Sequence, residues 1–146
     1  MKKSGTVVGV CVSERRTDAR KNVGKGFLRE GFGLVGDSHA GTEREVSLLG
    51  IESIRKLWRE TGVSAGPGCF AENITTEEID LTSLPIGSKL QVGEATLEVI
   101  QVGKDPSEPH TYRYRGCSLL PTEGIFCRIV ESGEVKIRDS IRPIRE

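Results

Sequence analysis

Four stretches in the second half of the chain, Ser88–Val92, Ala95–Val102, Gly124–Val130 and Glu134–Ile141, place apolar residues at alternate positions. Leu97 and Val99 alternate with Thr96 and Glu98. Val135, Ile137 and Ile141 share one parity, while Lys136, Arg138 and Ser140 take the other. Successive side chains of a strand point to opposite faces, so a period of two marks strands with one buried face. Gly87, Gly93, Gly124 and Gly133 punctuate them. Thr6–Ser13 is dense in β-branched residues and reads as another strand. Phe27–Val35 resumes strand character between glycines, and Arg44–Leu49 reads as a strand entering a core. Many short strands with frequent glycine and a single good helix predict a mainly β domain, a closed β-barrel with a few helices.

That helix is expected over Ile51–Thr61. Ile51, Ile54, Leu57 and Trp58 recur at helical spacing on one face. Glu52 in the first turn, Arg59 in the last and Gly62 just beyond suit the helix dipole and a glycine cap. Trp58 is expected to pack into the core.

With 146 residues the chain reads as one domain, 1–146, long enough to bury a real core. A hydrophobic content of 36% and a charged content of 29% fit a soluble globular protein. No apolar run is long enough to span a bilayer, so no membrane partner is expected. Met1-Lys2-Lys3 begins like a signal peptide, but Val7–Val12 is short and broken by Gly9, which argues against export. Four cysteines at uneven spacing then imply reduced thiols in a cytoplasm. No C-x-x-C pair occurs, so no metal-ligand set is expected. The net charge is zero but uneven: residues 1–30 hold eight Lys/Arg against three acids, and residues 61–100 hold six acids against Lys89. A basic third can attract anions or nucleic acid, and equally forms an ordinary solvated surface.

Chemistry concentrates in Gly36–Leu49. Gly36 and Gly41 permit backbone angles that expose N–H groups. Asp37 and His39 can hold a turn or handle a proton. Arg44 offers a planar fork of donors suited to an oxyanion. A plain reading stands beside this one: a tight turn with a capping Asp and a half-buried His. Glu14–Lys25 is a polar, basic loop that can close over a ligand. Ala65-Gly66-Pro67-Gly68 is a turn, and Glu72-Asn73 beside it can serve a site or tie the loop down. Lys104–Leu120 is a long, proline-containing loop. Its Tyr112-Arg113-Tyr114-Arg115 tetrapeptide can stack on a heterocycle or nucleic acid, or form an exposed edge strand. Cys117 follows Gly116 near Arg113 and Arg115, where cations favour a thiolate. Cys11 reads as a buried, inert thiol.

Several segments together resemble the MOSC domain, the family named for the C-terminal part of molybdenum cofactor sulfurases. They are Gly36-Asp37-Ser38-His39-Ala40-Gly41, then Arg44 with Val46–Leu49, then Pro67–Thr75. Leu84-Pro85-Ile86-Gly87, Gln101-Val102-Gly103-Lys104 and Glu123-Gly124-Ile125-Phe126 complete the match, which runs from about Gly5 to Ile141. The chain is similar to the short stand-alone bacterial form.

The resemblance implies a barrel-like fold and a role around the molybdenum cofactor: accepting sulfur as a cysteine persulfide and delivering it to a metal–sulfur centre. It implies Cys117 as the sulfur carrier and His39 as a proton-handling or orienting group, with Asp37 setting the His39 tautomer if they touch. Cofactor-binding positions would be Gly36, Asp37, His39, Gly41, Arg44, Asn73, Lys104, Arg113 and Arg115. Partners would be a cysteine desulfurase or other sulfur donor, and molybdenum cofactor biosynthesis proteins or molybdoenzymes. Nothing resembles a pyridoxal phosphate site. The chain also departs from the pattern. Relatives often carry Cys one residue after Gly-Lys, whereas Gly103-Lys104-Asp105 leads here to Pro106 and Ser107. Arg138 stands where a Gly usually precedes the final Asp, and Cys69 and Cys127 fall at positions read as packing. The missing cysteine supports an alternative, a non-catalytic module that binds the cofactor, molybdate or a partner protein. Nucleic-acid binding through the basic third and Tyr112–Arg115 is a weaker third reading.

Overall fold

The glycine-bounded strands close on themselves. The computed structural model describes residues 4–15, 19–104 and 113–144. In chain order these form β1 (Gly5–Val12), β2 (Lys21–Asn22), β3 (Lys25–Arg29), β4 (Gly33–Leu34), β5 (Val46–Gly50), α1 (Ile51–Thr61) and β6 (Ile74–Glu77). A 3-10 turn at Leu81–Ser83, β7 (Lys89–Val92), β8 (Ala95–Val102), α2 (Leu120–Glu123), β9 (Ile125–Glu131), β10 (Gly133–Lys136) and β11 (Ser140–Pro143) follow. Seven strands make a closed barrel in the order β1-β11-β7-β8-β9-β5-β6, with β6 returning to β1. Closure removes the free sheet edges that an open sheet would expose. β5 and β6 pair in parallel, with Leu48 opposite Ile74, because α1 carries the chain back between them. β10, β3 and β4 form a separate three-stranded sheet, whose Leu28, Leu34 and Val135 join the barrel's interior cluster.

Alternation decides which residues go where. Val46 and Leu48 of β5 point into the barrel with Leu97, Val99, Ile125, Cys127 and Ile129. Leu49 and Phe126 point outward, into a second cluster with Ile51, Ile54 and Phe70. The interior is fully buried; Leu48, Ile74, Leu97 and Ile125 are each 0% exposed.

Three expectations need correction. The stretch Phe27–Val35 is two strands, β3 and β4, because the chain reverses at Gly31, with the Phe32 N–H donating to the Arg29 carbonyl. The stretch Glu134–Ile141 is likewise broken at Ile137–Asp139, where Arg138 has φ 82° and the Asp139 carboxylate accepts from the Lys136 N–H. β10 pairs with β3, while β11 pairs with β7 and β1, so one period-two pattern turns a corner between sheets. Trp58 is 49% exposed and not core. α1 buries Ile51 and Ile54 and packs Leu57; helical angle alone does not tell how far along a helix its cover extends. The helix bounds and the Gly62 cap stand as expected, the Gly62 N–H donating to the Trp58 carbonyl over 2.8 Å.

Candidate functional site

Outward-facing residues of β5 and β9, with Asn73 just before β6, floor a cleft on the barrel wall. Ser47 lies directly opposite Phe126 in the β5–β9 ladder. Asn73 precedes β6 and ties this floor together. Its carboxamide oxygen accepts from the Ser47 N–H at 3.0 Å, and its amide nitrogen donates to the Cys11 carbonyl at 3.2 Å. Gln101 reaches the outer face beside this floor through a register shift between Val99 and Gln101. Leu97 and Val99 face inward, so simple alternation would send Gln101 inward too. The bulge instead sets Gln101 opposite Phe126, on the outer face. From there its carbonyl oxygen accepts from Arg44 Nε at 3.2 Å, and the Arg44 guanidinium lies 5.2 Å over the Phe126 ring.

The loop from Gly36 to Glu45 forms one rim. Gly36 and Gly41 have φ of 92° and 83°. Asp37 is buried, and its carboxylate accepts from the Ser13 N–H at 3.0 Å and the His39 N–H at 3.1 Å. It also grips Arg20 in two places, Nε to Oδ1 at 2.9 Å and Nη2 to Oδ2 at 3.1 Å. Such a bidentate pair is the strong form of the interaction. Burial pushes the Asp37 carboxyl up, but the hydrogen bonds and charge of Arg20, with Asn73 and the Ser13 N–H, bring it below its ordinary value. Arg20 Nη1 donates to the Ala71 carbonyl, and Nη2 lies against His39 Nδ1. The Arg20 main chain is docked as well, its N–H donating to the Gly68 carbonyl at 2.9 Å. Gly68 has φ 89°, and a Cβ there would stand 2.3 Å from the Arg20 carbonyl oxygen, so the position admits only glycine. Behind this loop sits Glu72, buried and with no ion pair among the described residues. Burial raises its pKa, although it accepts from the Thr75 hydroxyl and the Gly68 and Phe70 N–H groups.

Arg20, His39, Arg44, Ser47, Asn73, Lys104 and Phe126, with Ala71, Leu120 and Pro121, line a cavity of about 70 Å³. Three cationic side chains and an imidazole face it, and no carboxylate is among the described lining residues. Donors of this kind in a partly enclosed, low-dielectric cleft attract an oxyanion. Of the residues singled out in the sequence, His39, Arg44, Asn73 and Lys104 meet here, with Asp37 immediately behind them. Gly36 and Gly41 shape the rim. Arg113 and Arg115 are exposed and do not line the cavity.

Cys117 occupies a two-residue hairpin, where the Tyr114 and Cys117 main chains exchange hydrogen bonds of 2.7 and 2.9 Å. Arg115 and Gly116 both have positive φ, 49° and 84°, as a type I′ turn requires. Cys117 is half-buried and packs on the outer cluster that includes Leu120 and Phe126, two residues that also line the cavity. Cys11 and Cys127 are buried; burial raises the Cys11 thiol to about 12 and pushes Cys127 up as well, so both are poor nucleophiles. Tyr112 and the Asp105-Pro106-Ser107 departure lie outside the described residues.

Sequence reasoning missed Arg20, Ser47, Gln101 and Phe126 as site residues. Arg20 belongs to the basic loop read as able to close over a ligand. Its pairing with Asp37, seventeen positions later, left no local signal in the sequence.

A closed barrel carrying a cationic cleft on its outer wall is the class of protein that this fold and site define. The MOSC domain family model matches residues 35–142, and the chain belongs to that family, which is associated with molybdenum cofactor sulfurase-related function. The YuaD protein of Bacillus subtilis superposes with a TM-score of 0.73 at 21% identity, over 97% of this chain and 96% of its own. YiiM of Escherichia coli gives 0.65 at 18% identity, over 100% of this chain and 71% of its own. YiiM of Geobacillus stearothermophilus gives 0.68 at 14%, over 97% and 73%. These likenesses establish a shared fold. No curated protein matches the chain. Among the described residues no helix is long and apolar enough to cross a membrane.

Proposed function

We propose that this chain binds the molybdenum cofactor and seats one anionic group of it, a phosphate or a metal oxo group, in the cleft. The observation that carries this reading is the convergence of Arg20, His39, Arg44 and Lys104 on one cavity with no carboxylate among its described lining residues. Size supports the division of labour. Pockets that enclose a whole drug-sized ligand run to roughly 300–1,000 Å³; at about 70 Å³ this one suits a single tetrahedral group, leaving the rest of the cofactor outside. Arg44 would supply a planar fork and Lys104 a compact charge. Asn73 serves by holding Ser47 and the floor in register. When bound, the cofactor supplies the metal–sulfur centre. The test is anaerobic gel filtration of the protein with cofactor released from a molybdoenzyme. Co-elution with wild type and its loss in Arg44→Ala supports the reading; equal retention by both overturns it.

Sulfur carriage through Cys117 is the second reading, favoured by one observation. Of the four cysteines, Cys11 and Cys127 are buried with raised pKa values, whereas Cys69 and Cys117 are partly accessible, and Cys117 lies two residues from Arg115, whose guanidinium sits over the Tyr114 ring. The Cys117 thiolate would attack the terminal sulfur of a donor persulfide. The donor S–S bond breaks, the donor leaves as a thiolate, and Cys117 keeps the sulfur as a persulfide, with no oxidant needed. A cysteine desulfurase is the expected donor. Intact mass after incubation with desulfurase and cysteine should rise by one sulfur in wild type and stay unchanged in Cys117→Ser; loading of the variant would exclude Cys117.

A further inference from the structure

We infer that Arg20 is a positioning residue that fixes His39 as the neutral tautomer protonated on Nε2. Every polar hydrogen of a guanidinium is a donor, and arginine has no acceptor and does not deprotonate in proteins. Arg20 Nη2 meets His39 at Nδ1. That nitrogen must therefore be the acceptor, and the ring's proton resides on Nε2.

Arg20 is held so that it cannot turn away. Asp37 takes Nε and one Nη2 hydrogen, the Ala71 carbonyl takes Nη1, and the guanidinium is 3% exposed. The acceptor on Ala71 is presented by a backbone at φ 67°, a conformation that a non-glycine residue adopts only under constraint. His39 is fixed from its own side too, because Asp37 Oδ2 accepts its main-chain N–H. One carboxylate thus orients both partners of the Arg20–His39 contact. The resulting ring carries its one N–H on Nε2, where it is a hydrogen-bond donor. It does not offer a base, and it cannot take a second proton on Nδ1 while the contact with Arg20 lasts. On the oxyanion reading of the cavity, from which this inference takes its functional meaning, His39 recognises the anion and does not abstract a proton.

The test uses the ligand-free protein, so it can fail independently of cofactor binding. The chain has two histidines, and His110→Gln leaves His39 as the sole imidazole. A long-range proton–nitrogen NMR spectrum of that variant at pH 7.5 should show one ring with the Nε2–H pattern, and a coupling across the hydrogen bond from Arg20 Nη2 to His39 Nδ1. A ring protonated on Nδ1, or one averaging between tautomers, overturns the inference. Arg20→Lys in the same background, which keeps a charge but loses the fork, should move the ring to a tautomer mixture. An unchanged pure Nε2–H ring in folded Arg20→Lys removes Arg20 from the role. Should that variant fail to fold, the cross-hydrogen-bond coupling in the arginine protein decides the same question.

Discussion

The two faces of β5 make opposite use of the same five residues. Val46 and Leu48 enter the barrel's buried apolar cluster. Ser47, one position away, faces a cleft floored by Asn73 and Phe126 and ringed by Arg20, His39, Arg44 and Lys104. The interior is stabilised by area removed from water and tolerates exchange of one hydrophobe for another of equal volume. The back of the cleft is a network in which Asp37, Arg20, His39, Ser47 and Asn73 hold one another, so losing one member strands another. The barrel therefore specifies shape, and the cleft specifies identity.

The sharpest way to break this contrast is Asp37→Ala. It leaves the Arg20 charge buried without its carboxylate, a loss of about 3–5 kcal/mol, readable as a lowered urea midpoint, together with loss of anion binding. Leu48→Ala, on the other face, opens a cavity inside the barrel and should cost about 2–5 kcal/mol. Its folded fraction should bind as wild type does, since no cleft contact changes. The two residues thus predict the same stability phenotype with different binding phenotypes.

Acid should find the cleft before the barrel. Asp37 has a folded pKa below its ordinary value of 3.8, so its contribution is complete above that value and is lost as the pH falls from there through the lower folded pKa. Glu72 has the opposite sign: its raised folded pKa favours the folded state at low pH and opposes it as the pH rises. Urea midpoints of Asp37→Asn should therefore fall less steeply between about pH 5 and pH 2 than those of wild type. A parallel pair of curves would remove the Arg20–Asp37 pair as the acid-sensitive element.

The smallest effect concerns a corner far from the cleft. Arg138 sits at φ 82° between β10 and β11, where an L side chain costs about 1–2 kcal/mol relative to the right-handed region. Arg138→Gly relieves that strain but frees the unfolded chain, so a net gain of about 0.5–1 kcal/mol is expected, with binding unaltered.

Much of this molecule was legible in its letters, for a physical reason. The period of two in Leu97 and Val99 and the spacing of Ile51, Ile54 and Leu57 are local consequences of burying one face. The barrel and α1 followed from them, while the family was legible in motifs such as Gly36–Gly41 and Pro67–Thr75. His39, Arg44, Asn73 and Lys104 were legible because they lie in motifs beside strands. Arg20 was not, because its meaning depends on Asp37 seventeen positions later and on a glycine turn at Gly68. Gln101 was hidden by the bulge that reverses its parity. Trp58 was misread because periodicity reports the face of a helix and not the extent of what covers it.

An oxyanion site in the cleft, as proposed, requires saturable anion binding that depends on Arg44 and Lys104. Its most direct test is calorimetric titration of molybdate, the simplest metal oxyanion, into wild type, Arg44→Ala and Lys104→Ala at low salt. Saturable binding to one site in wild type, weakened about ten-fold or more in each variant, is the predicted result, since hydrogen bonds to charged groups are worth about 1.5–3 kcal/mol. Absence of saturable binding, or equal affinity in all three proteins, would contradict it.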